Sequence, residues 1–206
     1  YNTNLNSEFL IMGSINFHQT NVEIDNVDFE NIFSEDALNI VKSNFKINNS
    51  NYKDIFSDAI DMDFASGKIE FVSFKNIGND AMDFSGSNVE IYDSNFENVK
   101  DKLISGGEES NIKISKIYAV NSKSGIISKD GSKVYAKDIF FNNVQIPFAA
   151  YQKKTQYDYG LLAVNDFKID NFLIKFAKDD KSKITLNNIT QINIKKNKEG
   201  LSLVNQ

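Results

Sequence analysis

Between Ser57 and Phe84 the chain writes one phrase twice. Ser57-Asp58-Ala59-Ile60-Asp61-Met62-Asp63-Phe64 returns as Asn79-Asp80-Ala81-Met82-Asp83-Phe84-Ser85, and a fainter copy stands at Glu35-Asp36-Ala37-Leu38-Asn39-Ile40. Asp36, Asp58 and Asp80 stand at intervals of 22. Self-similarity at a fixed period of this length marks a stacked solenoid, because so short a unit buries its apolar side only against a neighbouring copy.

The repeat around Asn88 shows what each unit contains. Val89 and Ile91 alternate with Glu90 and Tyr92, a break follows at Asp93 and Ser94, Phe96 leads to Asn98 and Val99, and a third segment carries Leu103 and Ser105 before Gly106-Gly107. Alternation at period two reads as strand, and no window here is long enough for an amphipathic helix. Inward pairs of the first strand are Val22/Ile24, Phe45/Ile47, Gly67/Ile69, Val89/Ile91, Ile112/Ile114 and Val134/Ala136. The second strand repeats Phe29, Tyr52, Phe74, Phe96, Ala119 and Phe141. For the third, the pattern predicts Leu38/Ile40, Ile60/Met62, Met82/Phe84, Leu103/Ser105 and Ile126/Ser128. A further column, Asn31, Asp54, Asn76, Asn98, Asn121 and Asn143, reads as stacked side chains that satisfy turn groups without adding charge.

Leucine-rich repeats share this period but require Leu at fixed slots and a helical side, which Val, Ile and Phe in three strand-like pieces do not supply. The fold class expected is all-β: a right-handed single-stranded parallel β-helix with three short strands per turn. At about 4.8 Å per rung, roughly seven turns make a rod about 35 Å long. It reads as one domain over 1–206, with a lead-in or cap at 1–14, turns at 15–177, and a cap at 178–206. Within that cap Ile184, Leu186, Ile189, Ile192 and Ile194 alternate weakly as a closing strand pair. Pro147 interrupts a third-strand slot, and 151–160 reads as an outgoing loop.

Composition narrows the function classes. The net charge is −5 and all 23 basic residues are Lys, so the chain lacks the bidentate guanidinium suited to phosphate and base edges, and nucleic acid is not an expected partner. Absence of Cys removes disulfides, thiol catalysis and thiolate metal sites. No apolar run reaches the roughly 20 residues needed to cross a bilayer. Because it opens at Tyr1, without Met or a leader, the chain reads as a piece of something longer.

Asp58–Phe64, Gly78–Ser87, Ser105–Glu108, Ser128–Ser132 and Ala150–Lys154 resemble the pectin-lyase-like parallel β-helix repeat proteins. They are most similar to β-helix segments of large secreted bacterial proteins, some joined to spore-coat-type kinase domains. The likeness runs from about Phe9 to Gly160. It implies the fold and an extracellular or cell-surface location, and it leaves activity open, since the superfamily holds lyases, hydrolases, epimerases, tailspikes and domains with no known reaction.

Chemistry is expected on the outward side of the third strand. Period two predicts one outward column of Asn16, Asn39, Asp61, Asp83, Ile104, Ile127 and Ala149, and beside it His18, Val41, Asp63, Ser85, Gly106, Lys129 and Tyr151. Asp61, Asp63 and Asp83 would then converge, and close carboxylates need a cation or a shared proton. Calcium is one candidate; a glycosidase pair made of Asp61 and Asp83 is another. A solvated acidic face is the third reading. Lys129 and Lys153 stand two and three rungs above Asp83, beyond expected reach, and His18 lies two rungs below Asp63. Tyr151, Tyr157 and Tyr159 with Lys153 and Lys154 form an aromatic, basic loop of the kind that stacks on sugars. Asp36, Asp58, Asp80 and Asp101 read as caps of turn N–H groups.

The first expectation is therefore a non-catalytic extracellular module of a larger surface protein, binding a glycan or a partner through Asp61, Asp63, Asp83, Lys129, Tyr151 and Lys153, with Ca2+ held by the three acids. The alternatives are a polysaccharide-active enzyme using Asp61 and Asp83, and a purely architectural spacer.

Overall fold

The computed structural model describes residues 13–192 and 195–204. The chain winds as a right-handed parallel β-helix of about 8 turns with roughly 22 residues per turn, one turn more than expected. The expected onset of the pattern at Phe9 lies outside the described residues.

Every rung repeats its register on the next. Val22, Phe45, Gly67, Val89, Ile112, Val134, Leu162 and Ile184 follow one another up the first-strand face. The second-strand column also holds as expected, with Phe29, Tyr52, Phe74, Phe96, Ala119 and Phe141 in one line. In it Phe29 stacks on Tyr52 at 4.4 Å, Tyr52 on Phe74 at 5.0 Å and Phe74 on Phe96 at 4.9 Å. The planes lie within 12° of parallel because each ring leaves the backbone at the same point of an identical rung. These rings fill the rod with Ile47, Ile69, Met62 and Phe84, whose burial supplies the main favourable contribution to the fold.

Three corners close each turn, and each corner carries a residue with left-handed backbone. Asn31, Asp54, Asn76, Asn98, Asn121 and Asn143 all have φ between 53° and 59°, a region that Asn and Asp tolerate better than other side chains. The carboxamides also link rung to rung: Asn76 Nδ2 donates to Asp54 Oδ1 at 2.7 Å, Asn98 to Asn76 at 2.7 Å and Asn143 to Asn121 at 2.9 Å. A second ladder at the third-to-first corner is made of buried serines. There Ser87, Ser110 and Ser132 hydroxyls accept from the backbone of Ala65, Ser87 and Ser110 at 3.0 to 3.1 Å.

The third strand departs from expectation at one rung. Asp83 pairs with Ser105 and Phe84 with Gly106, while Ile104 pairs with Ile126 and Lys102 with Ser124. Ile104/Gly106 is therefore the inward pair, and Ser105 and Gly107 take the outward slots that period two had assigned to Ile104 and Gly106. All six residues of Lys102–Gly107 are buried, so no exposed polar residue was present to fix the phase of the alternation.

The C-terminal end departs further. Lys183–Leu186 continues the parallel first-strand face past residue 177, and Ile189–Thr190 then pairs with it in the antiparallel sense. A helix, Lys195–Val204, follows, in the part of the expected cap to which the pattern assigned no element; Ile194 lies outside the described residues. The helix covers an outward patch, where Ile127, Ile146, Ala149, Tyr151 and Ala177 pack with Val204, Leu201 and Leu203. That cover explains why the outward column turns from Asn39, Asp61 and Asp83 to Ile127 and Ala149. Gly200 permits the approach, since a Cβ there would lie 3.1 Å from Ile174 and 3.2 Å from Ala177.

Candidate functional site

The register stacks Asn16, Asn39, Asp61, Asp83 and Ser105 in one column and His18, Val41, Asp63, Ser85 and Gly107 in the next. Asp61 and Asp83 are direct neighbours across one rung, as expected, and His18 stands two rungs from Asp63. Asp61 and Asp83 each have a partner among the neighbouring side chains.

Asp61 takes a hydrogen bond from Asn39 Nδ2 at 3.0 Å. Burial first, then the charges of Asp63, Asp36 and Asp83, pushes its carboxyl up to about 8. Asp63, beside Val41 and Ser85, is raised by burial and by Glu108. Asp83 instead meets Lys129, whose Nζ lies 3.5 Å from Oδ1 although the residues are two rungs apart. Gly107 is the intervening residue, and a Cβ on it would lie 2.8 Å from Lys129 Cε. The lysine stem runs down the rod through that gap, which overturns the expectation that it falls short. Among the described residues no three His, Cys, Asp or Glu side chains gather as a metal site. At Asp83 the Lys129 ammonium supplies the counter-charge.

The capping column is also altered by the phase. Asp58 Oδ1 accepts from Asp80 N at 2.9 Å and Asp80 Oδ1 from Lys102 N at 2.9 Å, as expected of caps. The next member is Lys102, which occupies the slot expected for Asp101. Its Nζ is 3.3 Å from Asp80 Oδ1 and contacts Asp101 Oδ2, and Lys123 reaches Asp101 at 2.9 Å. Burial raises Asp80 while Lys102 opposes it; against burial, Lys102 and Lys123 hold Asp101 below its ordinary value. Asp36, with no lysine facing it, is pushed up to about 7 by burial and by Asp58 and Glu35.

Beside these two ion-paired sets lies a small cleft of about 200 Å³, lined by Asp80, Asp83, Asp101, Lys102, Lys129, Tyr151 and Lys153, with Asn79 and helix residue Val204 completing it. Four of the expected ligand-binding residues, Asp83, Lys129, Tyr151 and Lys153, meet there, while Asp61 and Asp63 lie outside it. Lys102, Asp101 and the helix are the parts that sequence reasoning missed. A spacing of 22 from Asp80 points to Lys102 and was available as a signal; nothing in the repeat announces the helix.

The outgoing loop is tied down rather than open. Asp130 Oδ1 accepts from Lys153 N at 2.6 Å and Lys154 N at 2.7 Å, Lys154 Nζ pairs with Glu108, and Lys181 Nζ donates to the Tyr159 hydroxyl at 2.6 Å. Tyr151 keeps its outward slot but lies under the terminal helix, 2% exposed, and burial raises its hydroxyl well above the ordinary tyrosine value.

In comparisons with known proteins, no family model matches this chain and no curated protein is similar to it. Among the described residues no helix is long and apolar enough to cross a membrane.

Proposed function

We propose that the chain is a non-catalytic β-helix module of a larger secreted or surface-exposed protein, related to the pectin-lyase-like superfamily, and that it binds a glycan at the cleft beside Asp83. The observation that supports this reading is the pairing inside the cleft, where Asp83 meets Lys129 and Asp80 meets Lys102. Fixed ammonium and carboxylate groups offer donors and acceptors side by side, which suits sugar hydroxyls, and each acid already has its lysine. Residues outside the cleft, Asp61 among them, contribute acidic surface rather than contacts. Calorimetric titration with neutral and uronate oligosaccharides tests the reading. Saturable binding that is lost in Lys129→Ala and Asp83→Asn, without glycan cleavage, supports it; undiminished binding in both variants overturns it.

A second reading, a polysaccharide-active enzyme, is favoured by one observation. Asp61 sits one rung from Asp83 with its carboxyl pushed up to about 8, and a raised carboxyl beside a second acid is the pairing that glycoside hydrolysis uses. Release of reducing ends by the native chain, abolished in Asp83→Asn with the fold retained, would replace the binding module by this enzyme.

A further inference from the structure

On the first-strand sheet, away from the cleft, the outward residues leave a groove of about 470 Å³, within the range of small-molecule and saccharide sites. The hollow has a sequence cause. Up one outward column Glu90, Lys113, Tyr135 and Ala163 succeed one another, and up the next Tyr92, Ser115 and Lys137. Ser115 and Ala163 are the small members, so the sheet is bare beside Tyr92 and above Tyr135, with Ile91, Ile114 and Ala136 as its floor.

The two tyrosines stand two rungs and two residues apart, roughly 12 Å, and differ in how they are held. Tyr92 is fixed: Phe71 meets it edge-on at 5.7 Å, and Lys116 Nζ contacts its hydroxyl and stands over one face of the ring, 4.7 Å from the centroid, which leaves the opposite face for a ligand. Phe71 keeps that place with φ of 56°, 52% exposed, at a corner where Asn26, Asn49, Asp93, Lys116 and Asp138 are other members. A left-handed backbone is unfavourable for a bulky side chain, and such outliers gather at functional surfaces. Tyr135 is 46% exposed. Glu90, on the rung of Tyr92, is held by Lys113 from the rung between the two rings at 3.4 Å and by Lys68 from the rung below at 3.0 Å, and these hydrogen bonds keep its carboxyl below the ordinary value.

We infer that this groove is a second, independent glycan site, which takes a neutral oligosaccharide lengthwise along the rod. Apolar sugar faces stack on the Tyr92 and Tyr135 rings. The hydroxyls between them meet the Lys113 ammonium and the Glu90 carboxylate, which matches groups that both donate and accept. An acidic glycan would meet Glu70 and Glu90 beside the lysines and is disfavoured. Nothing in this assignment depends on the third-strand cleft.

The test is calorimetric titration of the full chain with cellohexaose, maltohexaose, mannohexaose and chitohexaose, with hexagalacturonate as the acidic comparison, counting sites. Tyr135→Ala and Tyr92→Ala are each expected to weaken one site about tenfold, and Ser115→Phe, which fills the hollow and leaves both rings in place, to abolish it. Tyr118→Ala, an exposed aromatic on the second-strand face, is the control for folding and nonspecific stacking, with no change expected. One site weakened about tenfold in Tyr92→Ala and Tyr135→Ala and lost in Ser115→Phe, whether or not another site remains, supports the proposal. Unchanged site number and affinity in those variants, preference for hexagalacturonate, or no saturable binding of any neutral hexasaccharide up to about 10 mM overturns it.

Discussion

Replacing Asp61 by Asn should make the protein more stable at neutral and alkaline pH. Burial and four neighbouring acids raise Asp61 from its ordinary 3.8 to about 8. Below pH 4 both the folded and the unfolded chain hold this proton, so the residue is neutral to stability. Between 4 and 8 the unfolded chain has released it and the folded chain has not. Stability therefore falls as pH rises through that window, and above 8 the loss is complete. At about 1.4 kcal/mol per pH unit the loss at pH 8 is on the order of 5 kcal/mol, and screening at this partly exposed side chain reduces it to about 2–3 kcal/mol. Asparagine keeps the oxygen that accepts from Asn39 Nδ2 at 3.0 Å, offers its amide to Asp83 one rung on, and extends the carboxamide column of Asn16 and Asn39. Urea unfolding followed by circular dichroism at pH 4 and pH 8 measures the difference. Asp61→Asn should gain about 2–3 kcal/mol at pH 8, which for a chain of this size is roughly 4–12 °C in melting temperature, and little at pH 4. A variant no more stable than the parent at pH 8, or a parent whose stability rises between pH 4 and 8, would refute the reasoning.

Other perturbations probe single features. The Tyr52 hydroxyl is buried without a hydrogen-bond partner, so Tyr52→Phe, which keeps the ring stack, should stabilise by about 1–3 kcal/mol in the same unfolding assay. Gly107→Ala should swing Lys129 off its path, and the Asp83–Lys129 coupling in a double-mutant cycle should fall from about 1 kcal/mol to near zero. Phe71→Asn puts a tolerant residue at a left-handed corner and should raise stability by about 0.5–1 kcal/mol despite losing the contact with Tyr92, as read by the melting temperature.

The fold was legible because three inward columns and the Asn corner repeat with almost no drift, and each side chain's neighbours are copies of itself. The candidate site was legible only where the outward residues were polar. Asp83, Lys129, Tyr151 and Lys153 could be named from spacing, yet Lys102 was displaced by Asp101, since the fully buried Lys102–Gly107 strand has no polar alternation to set its phase. The reach of Lys129 depends on a missing Cβ at Gly107, one rung from either partner. The groove at Tyr92 and Tyr135 is formed by what Ser115 and Ala163 lack, and small outward residues carry no periodic signal. The terminal helix is mostly polar in sequence, and among its described residues Leu201, Leu203 and Val204 meet the apolar patch, too few to announce a helix beside the strand pattern before it.

The rung register is the claim on which both sites depend, and cysteine pairing on the first-strand face measures it directly in a chain with no native cysteine. Outward partners such as Lys46 with Lys68, and Lys68 with Glu90, are neighbouring backbones about 4.8 Å apart, within disulfide reach. Under mild oxidation Lys46→Cys/Lys68→Cys and Lys68→Cys/Glu90→Cys should each close a disulfide with the fold retained, while Lys46→Cys/Ile69→Cys should not. Preferential closure of the shifted pair, or of none, would contradict the in-register rod.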